Sequence, residues 1–191
     1  MTLNAMPRMD VVKREDKETK LKAFISNYLA ASSAAGVTHS WLLIARSPES
    51  PVVQALSALA PAIQAAGVTV RILFSQVAVS APGNAALSAD GYANEVRMMH
   101  DLRLLEAHEL LYLGSRTSWV GDCMRREPAK RDAYECYARD CARTANWSSR
   151  AFERLWFKAA PVIVAPAEPA AQRTLGPAMD CLLYTSPSPR D

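Results

Sequence analysis

Residues 40–74 read SWLLIARSPESPVVQALSALAPAIQAAGVTVRILF, and their pattern sets the fold class. Ser40 to Arg46 is a short apolar run, as in a strand buried on both faces. Ser47-Pro48-Glu49-Ser50-Pro51 is a turn that leads into a helix, because Ser and Pro are both favoured at that boundary. Val52, Leu56, Leu59, Ala60 and Ile63 form the buried stripe of that helix, and Gly67 ends it. Val68 to Phe74 is β-branched and apolar, which predicts a second strand. Strand, helix and strand at this spacing predict a parallel pair joined by a right-handed crossover.

Working outward, residues 10–35 are expected to form an N-terminal helix. Leu21, Phe24, Ile25, Tyr28 and Leu29 recur at spacings of three and four, and Gly36 is its stop signal. The Ser-, Ala- and Gly-rich stretch 75–90 reads as a loop. Three apolar runs follow: Val96 to Met99, Leu102 to Leu105, and Leu110 to Leu113. The last two predict a strand pair around Glu106-Ala107-His108-Glu109, with Trp119 and Val120 extending or following it. Pro128 is expected to open a long C-terminal helix over 129–158, striped by Tyr134, Tyr137, Cys141, Ser148, Phe152, Leu155 and Trp156. Val162 to Val164 suggest a last short strand. The expected fold is α/β, a mixed sheet with flanking helices.

Residues 38–160 thus form the α/β domain, after an N-terminal helical segment over 1–37. Residues 161–180 are Pro- and Ala-rich and read as a linker or a truncated continuation. Residues 181–191, CLLYTSPSPRD, resemble the in-frame translation of a sequencing adapter and are set aside from the fold reading.

The chain has 191 residues, 50% hydrophobic and 21% charged, which excludes global disorder and a coiled-coil rod. No continuous apolar run is long enough for a membrane span. No secretory signal is visible, so a cytoplasmic location is expected. Outside 181–191 the cysteines are Cys123, Cys136 and Cys141. Their odd number and lack of CxxC spacing fit reduced thiols. No metal-ligand spacing and no Gly-x-Ser-x-Gly elbow is present, and no cofactor is expected. The net charge of +3 comes from 22 Lys and Arg against 19 Asp and Glu. Its densest cluster is Arg116, Arg125, Arg126, Lys130 and Arg131. At an expected helix start such cations oppose the dipole, which favours an anionic partner; Asp122, Glu127, Asp132 and Glu135 interleave and would neutralise a plain solvated face.

One segment carries a family resemblance. His100 to Ser115 resembles the signature region of the phospholipase D-like superfamily, a His-x-Lys-x-x-x-x-Asp run on a β-hairpin followed by a Gly-Ser pair. A gapless alignment places His100 at the histidine and Gly114-Ser115 at the pair. Gly67 to Leu73 resembles the strand that precedes the signature, and Phe152 to Trp156 resembles the Phe-x-x-Leu-Trp that often follows it. The resemblance covers residues 38–158.

In active members the histidine attacks phosphorus, the lysine neutralises phosphoryl charge, and a second histidine from a second motif protonates the leaving group. Here the lysine position is Leu102 and the aspartate position is Ala107. Leucine supplies neither charge nor a hydrogen bond, and loss of such fixed stabilisation costs about 10²–10³ in rate. The resemblance therefore implies one degenerate, non-catalytic half. It would bind phosphodiester or nucleic acid through Ser115, Arg116, Arg125, Arg126, Lys130 and Arg131, or bind a partner protein, with a homodimer as the complete unit. Two alternatives stay open: a residual phosphodiesterase or nuclease using His100 as nucleophile in a dimer, and a plain protein-interaction domain.

Overall fold

In chain order the elements are β1 (Arg8–Lys13), a 3-10 turn (Arg14–Asp16), α1 (Lys17–Ser33), β2 (Ser40–Ala45), α2 (Pro51–Ala58), α3 (Ala60–Ala65), β3 (Thr69–Phe74) and β4 (Ala93–Met98). Then come β5 (His108–Gly114), β6 (Thr117–Cys123), β7 (Asp132–Ala138), α4 (Ala142–Trp156) and β8 (Ala160–Pro161). This computed structural model describes residues 6–33, 40–75, 93–99, 108–124 and 132–162.

The described strands form one sheet in the order β1-β7-β6-β5-β2-β3-β4-β8. β2 and β3 are parallel, with Trp41 opposite Val70 and Ile44 opposite Leu73. β3 and β4 are also parallel, and every other pairing is antiparallel, so the sheet is mixed. The central strands are buried on both faces, which is why they read as unbroken apolar runs. On β2, Trp41, Leu43 and Ala45 face one core, while Leu42 and Ile44 face another. The first core includes Leu21, Phe24 and Ile25 of α1 and Val52, Leu56 and Ile63 of α2 and α3. The second includes Phe152 and Trp156 of α4, with Leu73, Leu110 and Met124.

The helix between β2 and β3 is two short helices that meet at Leu59. Pro61 has no N–H for the carbonyl of Ser57, and its ring crowds that carbonyl. Gly67 follows α3 at φ +64°, a left-handed backbone that L side chains rarely adopt.

α4 is held by a stack of rings and cations. Phe152 and Trp156 stack with centroids 5.0 Å apart and ring planes 25° from parallel. Arg71 of β3 sits 5.2 Å from the Phe152 ring and ion-pairs with Glu153. Arg97 of β4 sits 4.4 Å from the Trp156 ring.

Three expectations need correction. The N-terminal helix begins at Lys17, not near residue 10; Arg8–Lys13 is an edge strand paired with β7. The C-terminal helix begins at Ala142, not near Ala129. Asp132–Ala138 is β7, and Tyr134 and Tyr137, expected on one helical stripe, point to opposite faces of it. The hairpin lies one step later than expected. Both edges of Leu110–Tyr112 are taken, by β2 and by β6. The hairpin is therefore β5–β6, while Leu102 to Leu105 fall outside the described residues. The loop expected over 75–90 is also outside them beyond Ser75. The last strand is Ala160–Pro161, with Val162 N–H donating to the Val96 carbonyl at 3.0 Å.

Candidate phosphodiester site

The β5–β6 hairpin turns at Ser115 and Arg116, both exposed. The Arg116 guanidinium ion-pairs with Asp140 in the β7–α4 turn. The Arg116 carbonyl accepts the Cys141 N–H at 2.8 Å. Arg116 therefore ties two turns together. Asp140 holds a left-handed φ of 55°, which Asp tolerates better than most residues. The Arg116 guanidinium holds the Asp140 carboxyl below the ordinary carboxylate range. His100, Arg125, Arg126, Lys130 and Arg131 lie outside the described residues, as do Leu102 and Ala107. Asp132–Ala138 is β7, so the long helix on which the dipole argument for an anion rested does not run on from Arg131.

The structure brings together a set of residues across the sheet, among them Glu135, which was expected to neutralise a solvated face beside the basic cluster and is buried instead. Glu109, Gly121 and Glu135 lie in a row across β5, β6 and β7, on the face covered by α1 and α2. The Glu135 carboxylate is fully buried. One oxygen accepts Tyr137 O–H at 2.7 Å and Trp119 Nε1–H at 3.2 Å. Its other oxygen faces Lys17 Nζ at 3.3 Å. Burial, together with donation to Glu135, pushes the Tyr137 phenol far above its ordinary range, so it remains a donor. Gly121 has no side chain because the Trp119 ring lies over it. A Cβ there would sit 2.4 Å from the nearest ring carbon.

Glu109 accepts the Arg46 N–H at 3.0 Å. Burial raises its pKa; the Arg46 N–H, the Ser50 hydroxyl and Lys17 oppose the rise, and Glu135 adds to it. A carboxyl raised on folding stabilises the fold most when protonated. That contribution is full below its ordinary value of 4.5 and is lost as pH climbs through the raised value. Glu109→Gln is therefore expected to stabilise the protein at neutral pH and to change little at pH 4. Urea midpoints measured across that range check it; a variant equally destabilised at both ends would refute it. The row contains no cation beyond Lys17, which is held by Glu135, so its chemistry is that of a structural polar core.

On the opposite side of β5, His108 opens the strand and is exposed. Its Nδ1 lies 2.9 Å from the Gly121 carbonyl. Two residues on, Leu110 is 2% exposed and packs into the core beneath α4.

No protein-family model matches the sequence, and a comparison with curated proteins found no match. Solved structures do match. Nuc from Salmonella typhimurium, a phospholipase D family member, aligns with TM-score 0.55 at 16% identity over 82% of this chain and 99% of its own. The chain has the phospholipase D-like fold. NucT from Helicobacter pylori aligns with TM-score 0.54 at 12% identity over 82% of this chain and 100% of its own. TrmBL2, an archaeal chromatin protein with a novel mode of DNA binding, aligns with TM-score 0.55 at 15% identity over 81% of this chain. This chain spans only 54% of TrmBL2. Among the described residues, no helix is long and apolar enough to cross a membrane.

Proposed function

We propose that the chain is a non-catalytic phospholipase D-like domain that binds phosphodiesters, nucleic acid foremost. The observation that carries this reading is Leu110. The His-x-Lys-x-x-x-x-Asp pattern belongs on a β-hairpin, and the described hairpin is β5–β6. Laid on it, the pattern puts His108 at the histidine, Leu110 at the lysine and Ser115 at the aspartate, with Asp122-Cys123 at the following pair. The gapless frame from His100 puts Leu102 at the lysine. Both frames read His-x-Leu, so the departure does not depend on the frame.

The chemical consequence follows from charge. Attack on a phosphodiester builds negative charge on the phosphoryl oxygens, and the fixed lysine offsets it. A buried leucine leaves that charge uncompensated, a loss of about 10²–10³ in rate before the other departures are counted. Ser115, at the aspartate position, carries no charge either. What remains suits binding over turnover. A chromatin protein with this fold binds DNA, and nucleic acid is the phosphodiester assigned here.

The test uses a bis(nitrophenyl) phosphate and a labelled oligonucleotide. No turnover above a His100→Ala/His108→Ala variant is expected, together with oligonucleotide binding that weakens as salt rises. Turnover abolished by either single histidine substitution would overturn the reading in favour of a residual phosphodiesterase. Neither binding nor turnover would leave a protein-interaction domain.

A further inference from the structure

α4 has two faces of different character. Ala145, Ser148, Phe152 and Trp156 face the sheet and are buried. The opposite side carries Arg143, Trp147, Arg150, Arg154, Phe157 and Lys158, all exposed. At 100° per residue the four within the helix fall in one arc of about 60°, and Phe157 and Lys158 follow directly after its last turn. Trp147 is 49% and Phe157 is 81% exposed. No acid lies in the arc. The helix's one acid, Glu153, stands outside it and is engaged with Arg71.

Helix stability does not account for this stripe. Arg154 and Lys158 near the C-terminus suit the dipole, but Arg143 in the first turn opposes it, with no acid there to compensate. Two exposed aromatic rings among four cations also cost solvation without covering any core. We propose that the outward face of α4 is the nucleic-acid interface of this domain, with single-stranded nucleic acid as its ligand. Arg143, Arg150, Arg154 and Lys158 contact successive phosphates along about 22 Å of helix. Trp147 and Phe157 stack on unpaired bases. An anionic membrane fits less well. The helix's large apolar face is committed to the core, and only two rings remain to insert.

This assignment rests on the phosphodiester-binding reading above and adds the surface and the strand type. The test measures binding of the full chain to a single-stranded oligonucleotide, its duplex and anionic phosphatidylserine vesicles across a salt series. The wild type is expected to favour the single strand. Arg143→Ala/Arg150→Ala/Arg154→Ala should weaken that binding at least tenfold and reduce the salt slope by about 2. Trp147→Ala should weaken it about tenfold with the slope unchanged. Thermal unfolding of these exposed-site variants should match wild type. Lys13→Ala/Arg14→Ala/Lys20→Ala, which removes three exposed cations outside α4, should bind normally.

Wild-type binding that survives the α4 substitutions, or that depends on Arg125 and Arg126 alone, would overturn this interface and leave the binding function standing. Tighter binding to duplex would overturn the stacking role. Binding to vesicles but not oligonucleotide, or to nothing at all, would overturn both the interface and the binding function.

Discussion

Lys17→Met is expected to lower the unfolding free energy by about 3–5 kcal/mol, the usual cost of leaving a buried charge without its partner. The Glu135 side chain is 1% exposed and the Lys17 side chain 17%. Removing Lys17 leaves Glu135 with two donors, Trp119 and Tyr137, and no compensating charge. Glu109 sits close enough to add repulsion. Adding Glu135→Gln to the variant should recover most of the loss. The amide oxygen still accepts from Trp119 and Tyr137, and the uncompensated charge is gone. Urea unfolding followed by tryptophan fluorescence measures both variants. A single-variant loss below about 1 kcal/mol, the range of exposed ion pairs, would show that Lys17 is not the partner of Glu135.

The second large effect is expected at Gly121. Gly121→Ala places a Cβ 2.4 and 2.5 Å from two carbons of the Trp119 six-membered ring. Trp119 is 2% exposed within the first core, so the ring has little room to tilt away. Overpacking of this kind costs about 1–3 kcal/mol. Displacing the indole also takes Nε1–H from the Glu135 carboxylate and adds a buried unpaired donor, another 1–3 kcal/mol or so. A total near 4 kcal/mol is expected, with a changed near-ultraviolet tryptophan signal. In a Trp119→Leu background the same substitution should cost much less. Equal costs in the two backgrounds would refute the contact.

The fold was legible where the chain is buried on both faces. Ser40–Ala45 and Thr69–Phe74 are nearly all apolar because their side chains after the first residue, Arg71 apart, are buried against a core on either face. The edges were not legible. Arg8–Lys13 has Val12 as its one fully buried side chain, while Met9 and Val11 face outward and are exposed. A strand with that pattern carries no alternation to read. β7 misled for a different reason. Its inward positions are Ala133, Glu135 and Tyr137, so a charge interrupts the period-2 signal. Tyr134, Tyr137 and Cys141 then fall at spacings of three and four and mimic a helix.

Glu135 as a core residue was invisible for the same reason. A glutamate reads as surface until its partners are known, and Lys17 lies at the far end of the chain. The candidate site was half legible. His-x-Leu stands in the sequence twice; the copy at His108 opens β5, and the copy at His100 lies outside the described residues. A helix beginning at Ala129 conceals the basic stripe of α4. Starting at Ala142, its cations separate cleanly from its buried residues.

The proposed function is phosphodiester binding without cleavage. The most direct measurement follows one labelled single-stranded oligonucleotide with the full chain, reading anisotropy and strand length together at 50 and 200 mM salt. The expected result is salt-sensitive binding with the strand intact after prolonged incubation. Shortened strands with wild type, and intact ones with His108→Ala or His100→Ala, would contradict it.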